Sequence, residues 1–273
     1  MREIQLDELK KVEFKLLLLI DSICKEHGWK YSLCGGTLLG AIRHKGFIPW
    51  DDDVDIAMPR EDYEAFLKYG IEHGREKKIE IISTQNSKGY AYLAAKVCDT
   101  DTIMEEENFE RDNLKMGVYV DIFPIDGLGN KEDAKKHFRA RRFERELLVT
   151  RNWKKFFRSK THAWYIEPIR FSFWLMSRFI STSKLVHRVE SYYEQFPLED
   201  SEYAAVVCGS YREKEILPTE ILNTFAEVEF EGSRFMAFRE YDAYLKSIYG
   251  DYMKLPPKEK QVTHHMFKAY WKD

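Results

Sequence analysis

Residues 50–56, WDDDVDI, place four carboxylates in five consecutive positions. On an extended backbone successive side chains alternate. Asp51, Asp53 and Asp55 would then share one face, and Asp52, Val54 and Ile56 the other. Aspartate is a poor strand former and adjacent like charges repel, so such a set calls for a cation. Hard divalent ions such as Mg²⁺ are held by carboxylates together with substrate phosphates. A short acidic run is ordinarily a solvated loop, but here Phe47, Ile48, Pro49 and Trp50 precede it and Val54, Ile56 and Met58 follow, which favours a strand entering a core. Asp121 stands inside another apolar stretch, GVYVDIF, where an uncompensated charge would be costly. Its carboxylate either bonds a loop amide at a strand end or joins Asp53 and Asp55 to complete a metal site.

Upstream, Cys34-Gly35-Gly36-Thr37 follows a strand-like stretch and opens a helix-like one. Paired glycines let a backbone approach a ligand, and amides at a helix N-terminus attract phosphate. Arg43, His44 and Lys45 close that helix and are candidate phosphate contacts, unless they are a solvated helix end. Lys96, in an apolar strand context, is a further phosphate candidate. Strand, Gly-Gly-Thr, helix, Asp-Val-Asp on the next strand and Asp121 on a later one together form the layout of a nucleotidyltransferase fold.

The elements that must position these groups are legible in outline. Apolar residues at helical spacing over 5–27 predict an opening amphipathic helix ending near Gly28. Strands are expected over 29–34 and 54–58, a short helix over 37–43, and a helix after Pro59. IEIISTQ and YAYLAAKVCDT read as strands, and MGVYVDIFPIDGLG as a strand ending at Pro124. Residues 131–195 hold no glycine and one proline, Pro168, which suggests two or three helices. Beyond residue 201, VEFEG looks strand-like and 235–249 helical. The expected fold is α+β: a nucleotidyltransferase-like mixed sheet with flanking helices over 1–130, a helical, basic and aromatic-rich insertion over 131–200, and a C-terminal part, 201–273, packing back on the core.

The chain has 273 residues, 44% of them hydrophobic, enough for a full core. Its formal charge of −3 hides segregation: residues 131–188 carry 16 Lys/Arg against 5 Asp/Glu, a local balance of +11, and the remainder carries −14. A uniformly basic, general nucleic-acid binder is excluded. The four cysteines show no zinc-ligand spacing and are scattered, as expected of a reducing compartment. The charged N-terminus and the short apolar run 16–20 predict neither signal peptide nor membrane span, so a cytoplasmic location is expected.

The run SLCGGTLLGAIRHKGFIPWDDDVDI over residues 32–56 closely resembles the LicD family of phosphorylcholine transferases, whose wider relatives are the fukutin-type ribitol-phosphate transferases. VDIFP at 120–124, FEG at 230–232, YGDYM at 249–253 and the prolines at 256–257 extend the resemblance to both ends of the chain. It implies transfer of phosphorylcholine from CDP-choline to a sugar hydroxyl of a teichoic acid or lipopolysaccharide precursor, with CMP leaving and Mg²⁺, or Mn²⁺, as cofactor. It also implies metal binding by Asp53 and Asp55, metal binding or proton acceptance by Asp121, and a lesser metal role for Asp51. Gly35, Gly36, Thr37, Arg43, His44 and Lys96 would hold the phosphates. The tail histidines, His264 and His265, are ordinarily surface residues, though the resemblance around them raises their interest.

Residues 151–188 interleave nine Lys/Arg and one acid, Glu167, with rings that include Trp153, Trp164, Tyr165, Phe171, Trp174 and Phe179. Such a segment suits peripheral contact with an anionic leaflet, or a helical subdomain whose rings pack inward; the expectation is that it does both. Two other functions stay open: a nucleotidyltransferase acting on a nucleoside triphosphate, and a non-catalytic scaffold for envelope assembly.

Overall fold

The computed structural model describes residues 1–106, 116–159, 162–263 and 267–273. Strand β1 (Arg2–Ile4) leads into helix α1 (Leu6–His27). Leu9, Val12, Leu16, Leu17, Ile20 and Ile23 are buried along α1, and Gly28, at φ 76°, ends it in the left-handed conformation that glycine adopts without a Cβ clash. Strand β2 (Ser32–Leu33) is shorter than the 29–34 expected. Helix α2 (Gly35–His44), β3 (Asp55–Pro59), α3 (Arg60–His73), β4 (Ile79–Ile82), β5 (Ala95–Asp99), β6 (Thr102–Glu106) and β7 (Tyr119–Gly127) follow.

Among its described residues the basic segment holds four α-helices where two or three were expected: α4 (Lys131–Ala140), α5 (Arg142–Arg151), α6 (Glu167–Phe179) and α7 (Thr182–Tyr193). The break between α4 and α5 falls at Arg141, φ −110°. With neither Gly nor Pro there, nothing in the composition marks it. Then come β8 (Tyr203–Ala205), β9 (Leu217–Pro218), α8 (Thr219–Leu222), β10 (Phe225–Phe230), β11 (Ser233–Phe238), α9 (Tyr241–Tyr249) and β12 (Phe267–Trp271).

Two further expectations differ from the structure. Strand β7 does not end at Pro124, because Asp126 and Gly127 pair with Ala205 and Ala204 of β8. Residues 235–249 are not one helix: Glu231 and Gly232, at φ 50° and 73°, turn β10 back into β11, and the helix starts only at Tyr241. Phe235 and Ala237 are buried on β11, an alternation that a helical reading overlooks.

Among the described residues, one mixed sheet runs β10-β11-β2-β3-β7-β5-β4, with β8 and β9 attached through β7, and a smaller sheet pairs β12 between β1 and β6. The main core is contributed by α1, α2, α3 and α9 and the central strands. A second core joins α4, α5 and α7 to Leu128, Ala205 and Val207, and so fixes the basic helices beside the end of β7. This is an α+β, nucleotidyltransferase-like arrangement. No described helix is long and apolar enough to cross a membrane.

Candidate active site

Three neighbouring strands carry the centre. Asp55, the first residue of β3, pairs in register with Asp121 on β7, and Asp121 pairs on its other side with Lys96 on β5. Residues in direct register share a sheet face. The Lys96 Nζ donates to Asp121 Oδ1 at 2.6 Å and lies 3.4 Å from the centroid of the Tyr119 ring. With side chains 6% and 18% exposed, the ion pair is largely withdrawn from bulk water, where attraction between charges is weaker. Lys96 thus compensates the charge that Asp121 brings into an apolar strand.

The glycine turn is tied to the acidic run by its own backbone. The Asp55 amide donates to Thr37 Oγ1 at 2.8 Å, and the Cys34 amide to the Asp55 carbonyl at 3.1 Å. A Cβ on Gly36 would lie 2.7 Å from Asp51 Oδ2, and one on Gly35, whose φ is +51°, 3.4 Å from Asp55 Oδ2. The glycines therefore let α2 begin directly against two of the carboxylates. The Gly35 amide donates to the Tyr244 hydroxyl at 3.2 Å.

Residues 51–54 lie ahead of the ladder, which begins at Asp55. The alternation persists in burial: Asp51, Asp53 and Asp55 are half-buried, while Asp52, Val54 and Ile56 are buried. Asp51, Asp52 and Asp53 bring carboxylate oxygens within 4.8 Å of one another, so Asp52, assigned by the alternation to the opposite face, joins the group. Burial, then the charges of Asp53 and Asp121, push the Asp55 carboxyl well above the usual carboxylate range, against the pull of Lys96. A sixth carboxyl, Glu13 on α1, is 2% exposed, and its Oε2 has no hydrogen-bond partner. Burial and then Asp53, Asp52, Asp55 and Asp51 push it well above its usual range. Its signal in the sequence was an acid inside the apolar stripe formed by Leu9, Leu16 and Ile20.

A cavity of about 590 Å³ has Asp53, Asp55, Asp121 and Lys96 in its wall. Arg139, Arg142, Arg145 and Arg212 also line it, as do Glu146 and Glu213. Arg43 and His44 take their contacts outside that lining. Arg43 donates to the Tyr252 carbonyl at 2.8 Å and to His44 Nε2 at 2.9 Å, and the His44 ring meets Trp50 edge-on. Gly35, Gly36, Thr37 and Asp51 form the layer next to the wall through the contacts above. His264 and His265 lie outside the described residues.

Sequence reasoning missed a second layer from the C-terminal part. Tyr211 and Tyr249 share a hydrogen bond of 2.7 Å between hydroxyls, and Tyr211 is pushed up to about 12 by burial, with Asp55 among the nearby charges. Burial raises Glu215, 3% exposed, to about 8. The four cysteines are thiols; burial pushes Cys34 well above its usual range and Cys208 up to about 12, which disfavours the thiolate form.

Among the described residues, the donors that could hold a divalent cation here are hard carboxylate oxygens: Asp51, Asp52 and Asp53 grouped together, and Asp55 and Asp121 across adjacent strands. An oxygen-only set crowded with negative charge fits Mg²⁺ or Mn²⁺ and not a thiolate-seeking metal.

Residues 28–163 match the domain family described as LicD/FKTN/FKRP, nucleotidyltransferase domain. The lipopolysaccharide cholinephosphotransferase LicD of Haemophilus influenzae is 32% identical over 281 residues, covering 99% of both chains. An uncharacterized protein of Rickettsia typhi is 29% identical over 43% of each chain, and human ribitol 5-phosphate transferase FKRP is 57% identical over 35 residues, which is 13% of this chain and 7% of that one. With the glycine turn, the aspartates and the whole-length likeness in agreement, the chain belongs to the LicD family.

Proposed function

We propose that this chain is a phosphotransferase that moves phosphorylcholine from CDP-choline to a sugar hydroxyl of a cell-envelope glycan, teichoic acid in preference to lipopolysaccharide, and releases CMP. The observation that carries this reading is the end-to-end likeness to a cholinephosphotransferase in a chain whose Asp55, Asp121 and Lys96 meet in register across three strands. In the reaction an acceptor oxygen attacks the phosphorus bearing choline. The bond from that phosphorus to the CMP oxygen breaks, and its electron pair leaves with CMP. Such transfers depend on positioning and on neutralising charge.

Asp53, Asp55, Asp121 and Asp51 would hold the cation; bound there, Mg²⁺ or Mn²⁺ would offset the negative charge of the diphosphate. Lys96, fixed by Asp121, holds a positive charge at the cavity wall for a phosphate oxygen. Where Asp121 is not spent on the cation, its alternative role is to accept the proton of the attacking hydroxyl at a carboxylate oxygen. Thr37, Gly35 and Gly36 set the position of Asp55 and Asp51, while Arg43 and His44, bonded to Tyr252 and to each other outside the cavity lining, brace the end of α2 and do not reach the phosphates. The enzyme works as a peripheral protein on the inner face of the cell membrane, where a lipid-linked precursor is presented.

The test is CMP release from CDP-choline in the presence of glycan acceptor. Release should stop on chelation, return with Mg²⁺ or Mn²⁺, and fall on the order of 10³-fold in Asp53→Asn with the fold intact. Undiminished release by Asp53→Asn would contradict the assignment, and no release by the folded wild type supplied with Mg²⁺ would favour the scaffold reading.

A further inference from the structure

Helix α6 is covered on one side only. Phe173 packs at a tilt against Phe143 of α5, 5.3 Å between centroids, Ser177 is buried, and Arg170 pairs with Glu167 while lying over the Trp153 ring. Its other side is apolar and bare. Ile169, Phe171, Leu175, Met176 and Phe179 are exposed there, Phe179 to 82%, and Trp164 and Tyr165, just ahead of the helix, are 73% and 65% exposed. Ile169, Ser172, Met176 and Phe179 recur at the spacing of one helix face, with Phe171 and Leu175 beside them. A continuous apolar face of this size on a folded domain marks an interaction surface.

The surroundings specify the partner. Lys154, Lys155 and Arg158 before the helix, and Lys184 and Arg188 on α7 after it, are exposed, whereas the segment 151–188 contains a single acid, Glu167, already paired with Arg170. Apolar side chains with Trp and Tyr at one end, flanked by cations, match the layering of an anionic bilayer, in which acyl chains lie beneath the headgroups and their negative charge. An apolar protein groove would satisfy the face but not the cations, and a polyanion in solution would satisfy the cations but not the face.

We infer that the exposed side of α6, with Trp164 and Tyr165, lies in the headgroup region of an anionic phospholipid bilayer. Helix α5 connects that surface to the cavity: Phe143 packs on α6, while Arg142, Arg145 and Glu146 of the same helix line the cavity. The cavity thus lies one helix away from the lipid. A lipid-linked acceptor would reach it without leaving the surface, a consequence that rests on the transferase reading; the membrane surface itself does not.

The experiment is co-sedimentation of the full chain with vesicles of phosphatidylglycerol and phosphatidylcholine, and with phosphatidylcholine alone, over a range of salt. The chain should bind the anionic vesicles, weaken as salt rises, and ignore the neutral ones. The double variant Trp164→Ser, Phe179→Ser should bind about tenfold more weakly or worse, and Lys184→Glu, Arg188→Glu should lose most of the salt dependence. Both should keep the wild-type Tm and circular dichroism. Absence of wild-type binding at low salt, or undiminished binding by the Trp164/Phe179 variant, overturns the inference. So does a wild-type dimer in sedimentation velocity that this variant converts to a monomer, since a second copy would then cover the face. Vesicle binding is read without turnover, so its failure and a failure of the transferase reading are separate results.

Discussion

Asp55 is where backbone, charge and strand register converge. Its amide is held by Thr37, its strand neighbour is Asp121, and Asp53 and Asp121 both disfavour its ionised form. Asp55→Asn should lower turnover on the order of 10³-fold with an unchanged Tm, measured by CMP release and thermal unfolding. Gly36 tests the contact from the other side. An alanine Cβ 2.7 Å from Asp51 Oδ2 forces that flexible carboxylate to move, while alanine suits a helix better than glycine by about 1 kcal/mol. Gly36→Ala should therefore keep or raise the Tm while turnover falls by about 10²-fold. Glu215 carries a pH signature: burial holds its carboxyl at about 8 against a usual 4.5. A folded-state pKa above the unfolded one stabilises fully below about 4.5 and is lost as pH rises through 8, at about 1.4 kcal/mol per unit. Urea unfolding of Glu215→Gln should show that loss of stability between pH 5 and 8 removed, with the variant gaining on wild type as pH rises. The aspartates were legible because alternation of charged and apolar residues is a local property. Tyr244 was not, since its hydroxyl meets the Gly35 amide from 209 positions away, and no local pattern encodes that.

At the scale of elements, β7 organises the molecule. It carries Asp121 near its start beside β3 and β5, and Asp126 near its end, where Arg60 of α3 donates to both carboxylate oxygens at 2.8 and 2.9 Å. The Asp126 side chain is 4% exposed, so removing it takes the bidentate partner from a largely buried guanidinium and leaves it only Glu64, at 3.2 Å. Asp126→Ala should cost about 3–5 kcal/mol in urea unfolding, while turnover of the remaining folded enzyme stays near wild type. Elements with strong punctuation were readable: α1 ends at Gly28 and α3 begins after Pro59. Those without it were misjudged. Arg141 separates α4 from α5 with no helix breaker, and the β10–β11 turn at Glu231-Gly232 was overlooked because YDAYLKSIY, a true helix, follows so closely. Strand β7 outran its expected end because its partner β8 comes from 203–205, a long-range pairing.

Across the whole molecule, the charge segregation acquires a geometry. Part of the −14 body is the carboxylate group at the strand ends, and the +11 segment supplies Arg139, Arg142 and Arg145 to the wall of the same cavity before presenting α6 outward. The sequence located the basic, aromatic segment, but it could not divide its rings. Trp153 is buried at 8% exposure, while Trp164 and Phe179 are bare; which rings face inward depends on how α5, α6 and α7 pack. The transfer can be followed by incubation with glycan acceptor and CDP-choline labelled in both the choline and the cytidine. The choline label should pass to the acceptor and the cytidine label should leave as CMP, in equal amounts. Cytidine label retained on the acceptor, or no transfer of either label by an enzyme that is folded and supplied with Mg²⁺, would contradict it.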